Sequence, residues 1–502
     1  MQGSSTSRPS CDALRSTLRL ENTTILEVAY IQANSSITTP GSCQSSATVS
    51  SPLCRIYAQV NTTESSSLKF EAWLPDLWYG RLITIGSGGL SACIDYNDLD
   101  YTTSSFHFAA IASDSGHDGD TAAPLMNEPE VINDFSFQAV HASAELGKQV
   151  VQQYYSRSAA KSYYTACSNG GRQGMQAALL YPQDFDGILA GSPAVDFNHL
   201  LGWLAILGRD VGAPNGNSSS SFIPDALWPV VSAAIMEQCD LLDGVADQML
   251  TEPDDCFFDP SVLLCPPSVA NADSDACLTA DQIVSLEKIY SPLINDKGVE
   301  LWPRYDPLAE NTTLRQLTFS GSIFSYPTSW WQNTIYNDTN YSFDKFGIQD
   351  IEFADTINPG GIAAFSGNFS AFRQRGGKIV TFHGREDGLI ASGNSKRFYD
   401  LATSTLSLPN LDDFYRLFLV PGLAHCFYGP GAWKIGQSQL GSGVVVNDSA
   451  HNLLLALVDW VEGDTAPGSI IGTGDDGSTR EHCRYPRFKS QWNGTAWNCV
   501  EI

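Results

Sequence analysis

The sequence predicts an α/β protein, a mostly parallel sheet covered by helices and interrupted by a long insertion. Three observations carry this. Strand-like and helix-like stretches alternate through residues 66–195, resume near 375 and close with a helix-like run, Asn452 to Glu462. A serine stands between a β-prone stretch and a helix in Ala166-Cys167-Ser168-Asn169-Gly170-Gly171. An acidic loop and then a histidine follow it along the chain, each just beyond a further strand-like run. The 502 residues exceed an ordinary single domain. With the serine on one side and the acid and histidine on the other, the catalytic domain is discontinuous, 1–195 with 375–502. Residues 196–374, richer in loops, aromatics and glycosylation sequons, read as a lid domain over the site.

Taken in order, Arg81 to Ile85 is strand-like and runs into Gly86-Ser87-Gly88-Gly89, where the backbone can approach a ligand closely or simply make a tight turn. Lys161 to Ala166 is β-prone, and Arg172 to Tyr181 carries Met175, Ala177, Ala178, Leu179 and Leu180 at helical spacing. A serine flanked by small residues between such elements describes a nucleophile elbow, the turn that lifts the hydroxyl to the top of an α/β-hydrolase sheet. The usual first glycine is replaced by Ala166, so a Gly-rich turn is the competing reading. Gly377 to Phe382 leads into His383-Gly384-Arg385-Glu386-Asp387-Gly388, and Phe414 to Val420 leads into Pro421-Gly422-Leu423-Ala424-His425. Serine, acid, histidine is the chain order of α/β-hydrolase triads.

These groups suit acyl transfer. His425 would take the Ser168 proton and return one to the leaving alcohol, while Asp387 orients the imidazole. Oxyanion donors are expected at the Asn169 amide and, within the glycine run, at Gly89. Glu386 is the fallback acid; His383 precedes the acid and so has the wrong order for the base. Cys167 directly precedes the serine and Cys426 directly follows the histidine. If these two are bonded, the bond brings Ser168 and His425 together.

Charge and composition exclude some partners. With 28 basic against 55 acidic residues and a formal charge of -27, the surface repels nucleic acid. No run of 18 apolar residues suggests a membrane anchor. The 12 cysteines lack zinc-type spacing and, as an even number, favour disulfides in an oxidising compartment. Asn-x-Ser/Thr sequons stand at Asn22, Asn34, Asn61, Asn217, Asn311, Asn337, Asn340, Asn368, Asn447 and Asn493. Their density points to a eukaryotic secretory pathway, and the closeness of Asn337 to Asn340 disfavours double occupancy. Met1 to Ser10 is polar and lacks the apolar core of a signal peptide, so the expectation is a secreted, extracellular protein whose targeting segment is missing from this chain.

In the lid, Cys239-Asp240-Leu241-Leu242-Asp243-Gly244-Val245-Ala246-Asp247 offers three carboxylates around a glycine. Hard oxygen donors of this kind suit Ca²⁺, although no Glu closes an EF-hand loop and a solvated acidic loop is the alternative. His117, Asp118 and Asp120 in a Gly-rich loop read as turn-forming groups. Phe324, Trp330, Trp331 and Tyr336 could stack on an aromatic acyl group or build the lid core.

The motifs also carry a family resemblance. Cys167-Ser168 with Gly170-Gly171, Asp387 and His425-Cys426 resemble the signature of the tannase and feruloyl esterase family of secreted esterases. The likeness runs from about Cys11 to Cys499, through Ala72-Trp73-Leu74-Pro75, Gly116-His117-Asp118-Gly119-Asp120, Gly170-Gly171-Arg172-Gln173-Gly174, Val458 to Glu462 and Cys483-Arg484-Tyr485-Pro486. It is most like the fungal type B feruloyl esterases. It implies hydrolysis of hydroxycinnamate esters of plant cell-wall polysaccharides, with Ser168, Asp387 and His425 as the triad. It further implies the pairs Cys167–Cys426, Cys11–Cys54, Cys43–Cys93, Cys239–Cys256, Cys265–Cys277 and Cys483–Cys499. A structural Ca²⁺ is implied on the side chains of Asp240, Asp243 and Asp247 and the carbonyls of Val245 and Met249. The rival readings are a tannase acting on galloyl esters and a catalytically inactive carbohydrate-binding glycoprotein.

Overall fold

The computed structural model describes residues 10–266, 276–437 and 446–502. The polar stretch from Met1 to Pro9 lies outside the described residues. Eleven strands form one sheet: β1 (Thr23–Ile31), β2 (Leu53–Asn61), β3 (Ser67–Pro75), β4 (Arg81–Ile85), β5 (Ala109–Ser113), β6 (Lys161–Cys167), β7 (Gly187–Gly191), β8 (Lys378–Gly384), β9 (Tyr415–Val420), β10 (Ser469–Thr473) and β11 (Thr479–Tyr485). Their spatial order is β1-β2-β3-β5-β4-β6-β7-β8-β9-β11-β10.

The sheet is parallel in the middle and antiparallel at both edges. β5, β4, β6, β7, β8 and β9 pair in parallel, whereas β1 to β3 run as an antiparallel meander and β11 and β10 return antiparallel on the far side. The burial pattern follows from this. β5 and β7 are buried at every residue, as strands covered by helices on both faces must be, while edge strand β1 is mostly half-buried or exposed, with only Val28 buried. The covering helices are α1 (Tyr96–Phe106), α2 (Ala139–Tyr155), α3 (Asn169–Leu180), α6 (Gly393–Leu406) and α7 (Leu453–Gly463), with α4 (Phe197–Asp210) and α5 (Trp228–Cys239) in the insertion. The doubly covered middle with crossover helices is the α/β-hydrolase fold.

Among the described residues of 196–374, which are mainly helical, none belongs to a strand of the large sheet. Its apolar residues do not close on themselves. Trp203, Trp228, Trp302, Trp330 and Trp331 belong to one buried cluster with Leu90 and Phe135 of the first segment and Ile390 and Ala391 of the last. Trp330 and Trp331 are therefore core residues, and only Phe324 of the sequence's four aromatics reaches the site described below. Insertion and sheet share a core, so they are expected to unfold together.

All six disulfides implied by the family resemblance are formed. The ten sequon asparagines are all exposed, which leaves each open to a glycan. None of the described helices is long and apolar enough to cross a membrane.

Candidate active site

Ser168 occupies the single residue between β6 and α3, with φ 63 and ψ −126. This conformation is costly for a side chain that has a Cβ, and it is held by what surrounds it. The Ser168 amide donates to the Gly191 carbonyl at 2.9 Å, and its own carbonyl accepts from the amides of Arg172 and Ala194 at 3.0 and 3.1 Å. The glycines beyond it are there for space. A Cβ on Gly170 would lie 2.5 Å from the Ala166 Cβ, and one on Gly171 would lie 2.5 Å from the Gly191 carbonyl oxygen. Alanine at 166 is thus tolerated because Gly170 gives way to it.

The rest of Gly170-Gly171-Arg172-Gln173-Gly174 sets the walls. Arg172 is fully buried; its Nε donates to Asn169 Oδ1 at 2.7 Å and its Nη1 to the Ser136 carbonyl at 2.7 Å. Burial pulls its guanidinium down to about 9. Gln173 Oε1 accepts from the Ser87 amide at 3.3 Å, fastening the glycine run Gly86–Gly89 beside the elbow. Asn169 opens α3, so its amide belongs to the first turn, where N–H groups have no intrahelical acceptor. Gly89, at φ 64, lines the same cleft as Ser168. The Tyr326 hydroxyl and Asp120 Oδ1 fill the space where its Cβ would stand, so no larger residue fits.

Asp387 and His425 meet at the ends of β8 and β9. His425 Nδ1 donates to Asp387 Oδ2 at 2.7 Å. The other carboxylate oxygen accepts from the amides of Leu389 and Ile390, both at 2.9 Å. Burial works against ionisation of Asp387, but His425 and His383 beside it hold the carboxyl well below the usual carboxylate range. His383 is no base for the cleft: it is fully buried, with Nδ1 on Ser395 Oγ at 2.7 Å and Nε2 on the Ile390 carbonyl at 2.9 Å. Glu386 is also unsuited to the acid's role. Burial, and then Glu310, push its carboxyl up to about 8, and its Oε1 has no hydrogen-bond partner among the described residues.

The insertion grips this acid loop. Buried Arg385 donates to Asp254 at 3.0 Å and to Ser392 Oγ at 2.6 Å, Asp306 accepts from the Ser392 amide at 2.9 Å, and the Tyr305 hydroxyl donates to the Gly388 carbonyl at 3.2 Å. On the other side, the Cys167–Cys426 bond, with Cα atoms 5.9 Å apart, ties the residue before Ser168 to the residue after His425.

Ser168 and His425 share a solvent-open cleft of about 620 Å³ with Gly89, Asp98, Tyr326 and Phe427. A small apolar hollow runs from Ser168 under the insertion, walled by Phe197, Leu200, Leu204, Phe324 and Ile390. A serine on a strained turn, a histidine paired with a buried carboxylate, a helix N-terminus and an apolar hollow are the kinds of group that acyl transfer uses. Sequence reasoning did not single out Tyr326, Leu389, Phe427, Asp98 or the leucines of α4. Three of them were detectable as neighbours, two residues after Phe324, two after Asp387 and one after Cys426, but nothing marked Asp98 or α4.

The three carboxylates Asp240, Asp243 and Asp247 lie within the turn that follows α5. Burial and then the charges of Asp243 and Asp240 raise the Asp247 carboxyl. Asp240 accepts from the Gln248 amide at 2.9 Å and Asp243 from the Val245 amide at 3.0 Å. Among the described residues no three such side chains converge as a ligand cage. The loop packs against the histidine segment, with Met249 Sδ 2.6 Å from where a Cβ on Gly422 would stand.

Two outcomes follow from this geometry. Replacing both Cys167 and Cys426 with alanine is expected to lower kcat for ester hydrolysis on the order of a hundredfold, the cost of about 1 Å of misplacement, while the protein still folds; unchanged turnover in the folded double variant would refute the staple. Glu386→Gln is expected to raise the melting temperature more at pH 8 than at pH 5. Above the ordinary glutamate value of 4.5 the unfolded chain releases a proton that the native state holds until about pH 8, so the wild type loses stability across that window. Thermal unfolding of both proteins at the two pH values checks it.

Comparison with known proteins agrees with the site. The model of the family described as "Tannase and feruloyl esterase" matches residues 54–501. The chain is 38% identical to "Probable feruloyl esterase B-1" of Aspergillus terreus, across 96% of this chain and 93% of that protein. It is 35% identical to feruloyl esterase C of Talaromyces stipitatus, across 98% and 94%. Among solved structures, feruloyl esterase B from Aspergillus oryzae superposes with a TM-score of 0.93 at 33% identity, covering 98% of this chain and 99% of that one. Tannin acyl hydrolase from Aspergillus niger shares the fold, with a TM-score of 0.75 at 20% identity over 96% and 92%. The chain belongs to the tannase and feruloyl esterase family and is a carboxylic ester hydrolase.

Proposed function

We propose that the protein is a secreted feruloyl esterase that cleaves hydroxycinnamate esters of plant cell-wall polysaccharides through an acyl-enzyme intermediate. The observation that carries the reading is the apolar wall beside Ser168, whose chemistry suits an aromatic acyl group, in a chain whose near-full-length relatives are named feruloyl esterases. Ser168 attacks the ester carbonyl as His425 takes its proton, and Asp387 stabilises the imidazolium. The oxyanion is held by the amides of Asn169 and Gly89. His425 then protonates the departing alcohol, and a water activated by the same imidazole releases the acid and restores Ser168. The six disulfides and ten exposed sequons support secretion.

The reading includes a structural Ca²⁺ in the loop after α5, on the carboxylates of Asp240, Asp243 and Asp247 and the carbonyls of Val245 and Met249. An all-oxygen donor set suits that ion, and a dication would relieve the repulsion that raises the Asp247 carboxyl. Its effect would reach the catalytic histidine through Met249 and Gly422.

A panel of methyl ferulate, caffeate, p-coumarate, sinapate and gallate, run on the wild type and on Ser168→Ala, tests the activity. Serine-dependent cleavage of the hydroxycinnamates with little gallate turnover is expected; preferential gallate cleavage would make the protein a tannase. For the ion, added Ca²⁺ is expected to raise the melting temperature of chelator-treated protein and to leave that of Asp243→Ala unchanged. Identical melting of the wild type in Ca²⁺ and in chelator would remove the ion from the account.

A further inference from the structure

The open cleft and the apolar hollow meet at a neck. Both are lined by Gly89, Ser168, Tyr326 and Leu389, so among the described residues the side chains that flank the nucleophile at this junction are Tyr326, from the insertion, and Leu389, from the acid loop. An ester carbonyl has to come within about 3.5 Å of the Ser168 hydroxyl to be attacked. With the leaving alcohol on the side of His425 and the acyl ring toward the hollow, the atoms bonded to the carbonyl carbon lie between Tyr326 and Leu389.

Neither side chain is loose. The Tyr326 hydroxyl donates to Asp120 Oδ2 at 2.6 Å, and its ring lies 4.6 Å from that of Phe324. Asp120 is in turn tied to the segment that follows the glycine run: it pairs with Ser91 in an antiparallel bridge, and the Ala92 amide donates to the Gly119 carbonyl at 2.9 Å. The short helix Ser325–Trp330, which carries Tyr326, is fastened to the same loop a second time, where Ser329 Oγ accepts from the Ala122 amide at 2.8 Å. Opposite, the Leu389 amide donates to Asp387 Oδ1 at 2.9 Å, so the acid that orients His425 also places the leucine. Both side chains are half-buried and packed against the apolar cluster of the insertion. Widening the neck means breaking the Tyr326–Asp120 bond or pulling Leu389 off that cluster.

We propose that Tyr326 and Leu389 are specificity-determining residues that select the acyl group by what is bonded to its carbonyl carbon: a slender, planar two-carbon arm passes, and a ring attached directly does not. This rests on the feruloyl esterase reading and supplies what separates it from the tannase one. A hydroxycinnamate carries its ring two carbons beyond the carbonyl, past the neck and among Phe197, Leu200 and Leu204. A benzoate or gallate brings its ring into the neck itself. Fixed side chains turn such a difference into rate, because a carbonyl held off by the neck misses the serine. Asp120 lines neither hollow and acts as a positioning residue, holding the Tyr326 ring in place.

The test compares methyl ferulate with methyl vanillate, which share ring substituents and alcohol, on the wild type, Tyr326→Ala, Leu389→Ala, Asp120→Ala and Asp120→Asn. The wild type is expected to favour ferulate in kcat/KM. Tyr326→Ala and Leu389→Ala should each cut the ferulate-to-vanillate ratio about tenfold. Asp120→Ala should lower it by a smaller factor, and Asp120→Asn, whose amide oxygen still accepts from the tyrosine, should keep it. A wild-type ratio in both Tyr326→Ala and Leu389→Ala, with the two esters falling together or neither falling, overturns the proposal and leaves the feruloyl reading standing. One outcome needs no variant: vanillate cleaved by the wild type as efficiently as ferulate overturns the neck by itself. No cleavage of ferulate by the wild type overturns the feruloyl reading instead. The neck is then decided by the same variants on p-nitrophenyl butyrate and p-nitrophenyl pivalate, esters that are slender and bulky at the carbon beside the carbonyl.

Discussion

The backbone of Ser168 is held in a state that costs a residue with a Cβ on the order of 1–3 kcal/mol, and much of the surrounding sequence exists to keep it there. The turn holds only if α3 starts immediately and lies close against β6 and β7. That close approach is why Gly170, Gly171 and Gly174 recur on one stretch of helix, each facing an atom that a Cβ would strike. Between them, Arg172 and Gln173 reach sideways to Asn169 and to the Ser87 loop. One run of five residues thereby fixes the nucleophile and both expected oxyanion donors in a single rigid piece.

The acid and the histidine come from a different part of the chain and are placed by different means. Asp387 is satisfied by two backbone amides and two imidazoles, which orient it before any substrate arrives. Its loop is gripped from outside by Arg385, Ser392 and Gly388 through Asp254, Asp306 and Tyr305 of the insertion. The insertion that walls the hollow beside Ser168 is thus also a bracket for the acid loop, and its apolar side chains merge with those of the sheet domain. A change deep in the insertion can reach the acid without touching the substrate pocket.

How much of this was legible in the sequence depended on whether the signal was local. The elbow, the glycine run, the chain order of serine, acid and histidine, and the two cysteines beside them are short patterns, and the structure gathers them around one cleft. β4 has the bounds its apolar run suggested, and β6, β8, β9 and α7 lie within a residue or two of theirs. Edge strand β1 was less visible, because a strand half open to solvent is diluted by polar residues. Trp330 and Trp331 could equally have lined a pocket or filled a core, since composition does not distinguish the two. Asp98 carried no mark at all. A carboxylate one turn into a polar helix start is ordinary in sequence, and only its burial in the wall of the cleft sets it apart.

The Cys167–Cys426 bond encloses 259 residues of sequence separation, and the whole insertion lies inside that loop. A protease that nicks an exposed turn of the insertion therefore cannot part the chain into a serine-bearing half and a histidine-bearing half. The two pieces would migrate as one species until a reductant is added, so a cut protein in protease-rich surroundings would keep its serine-bearing and histidine-bearing halves covalently joined.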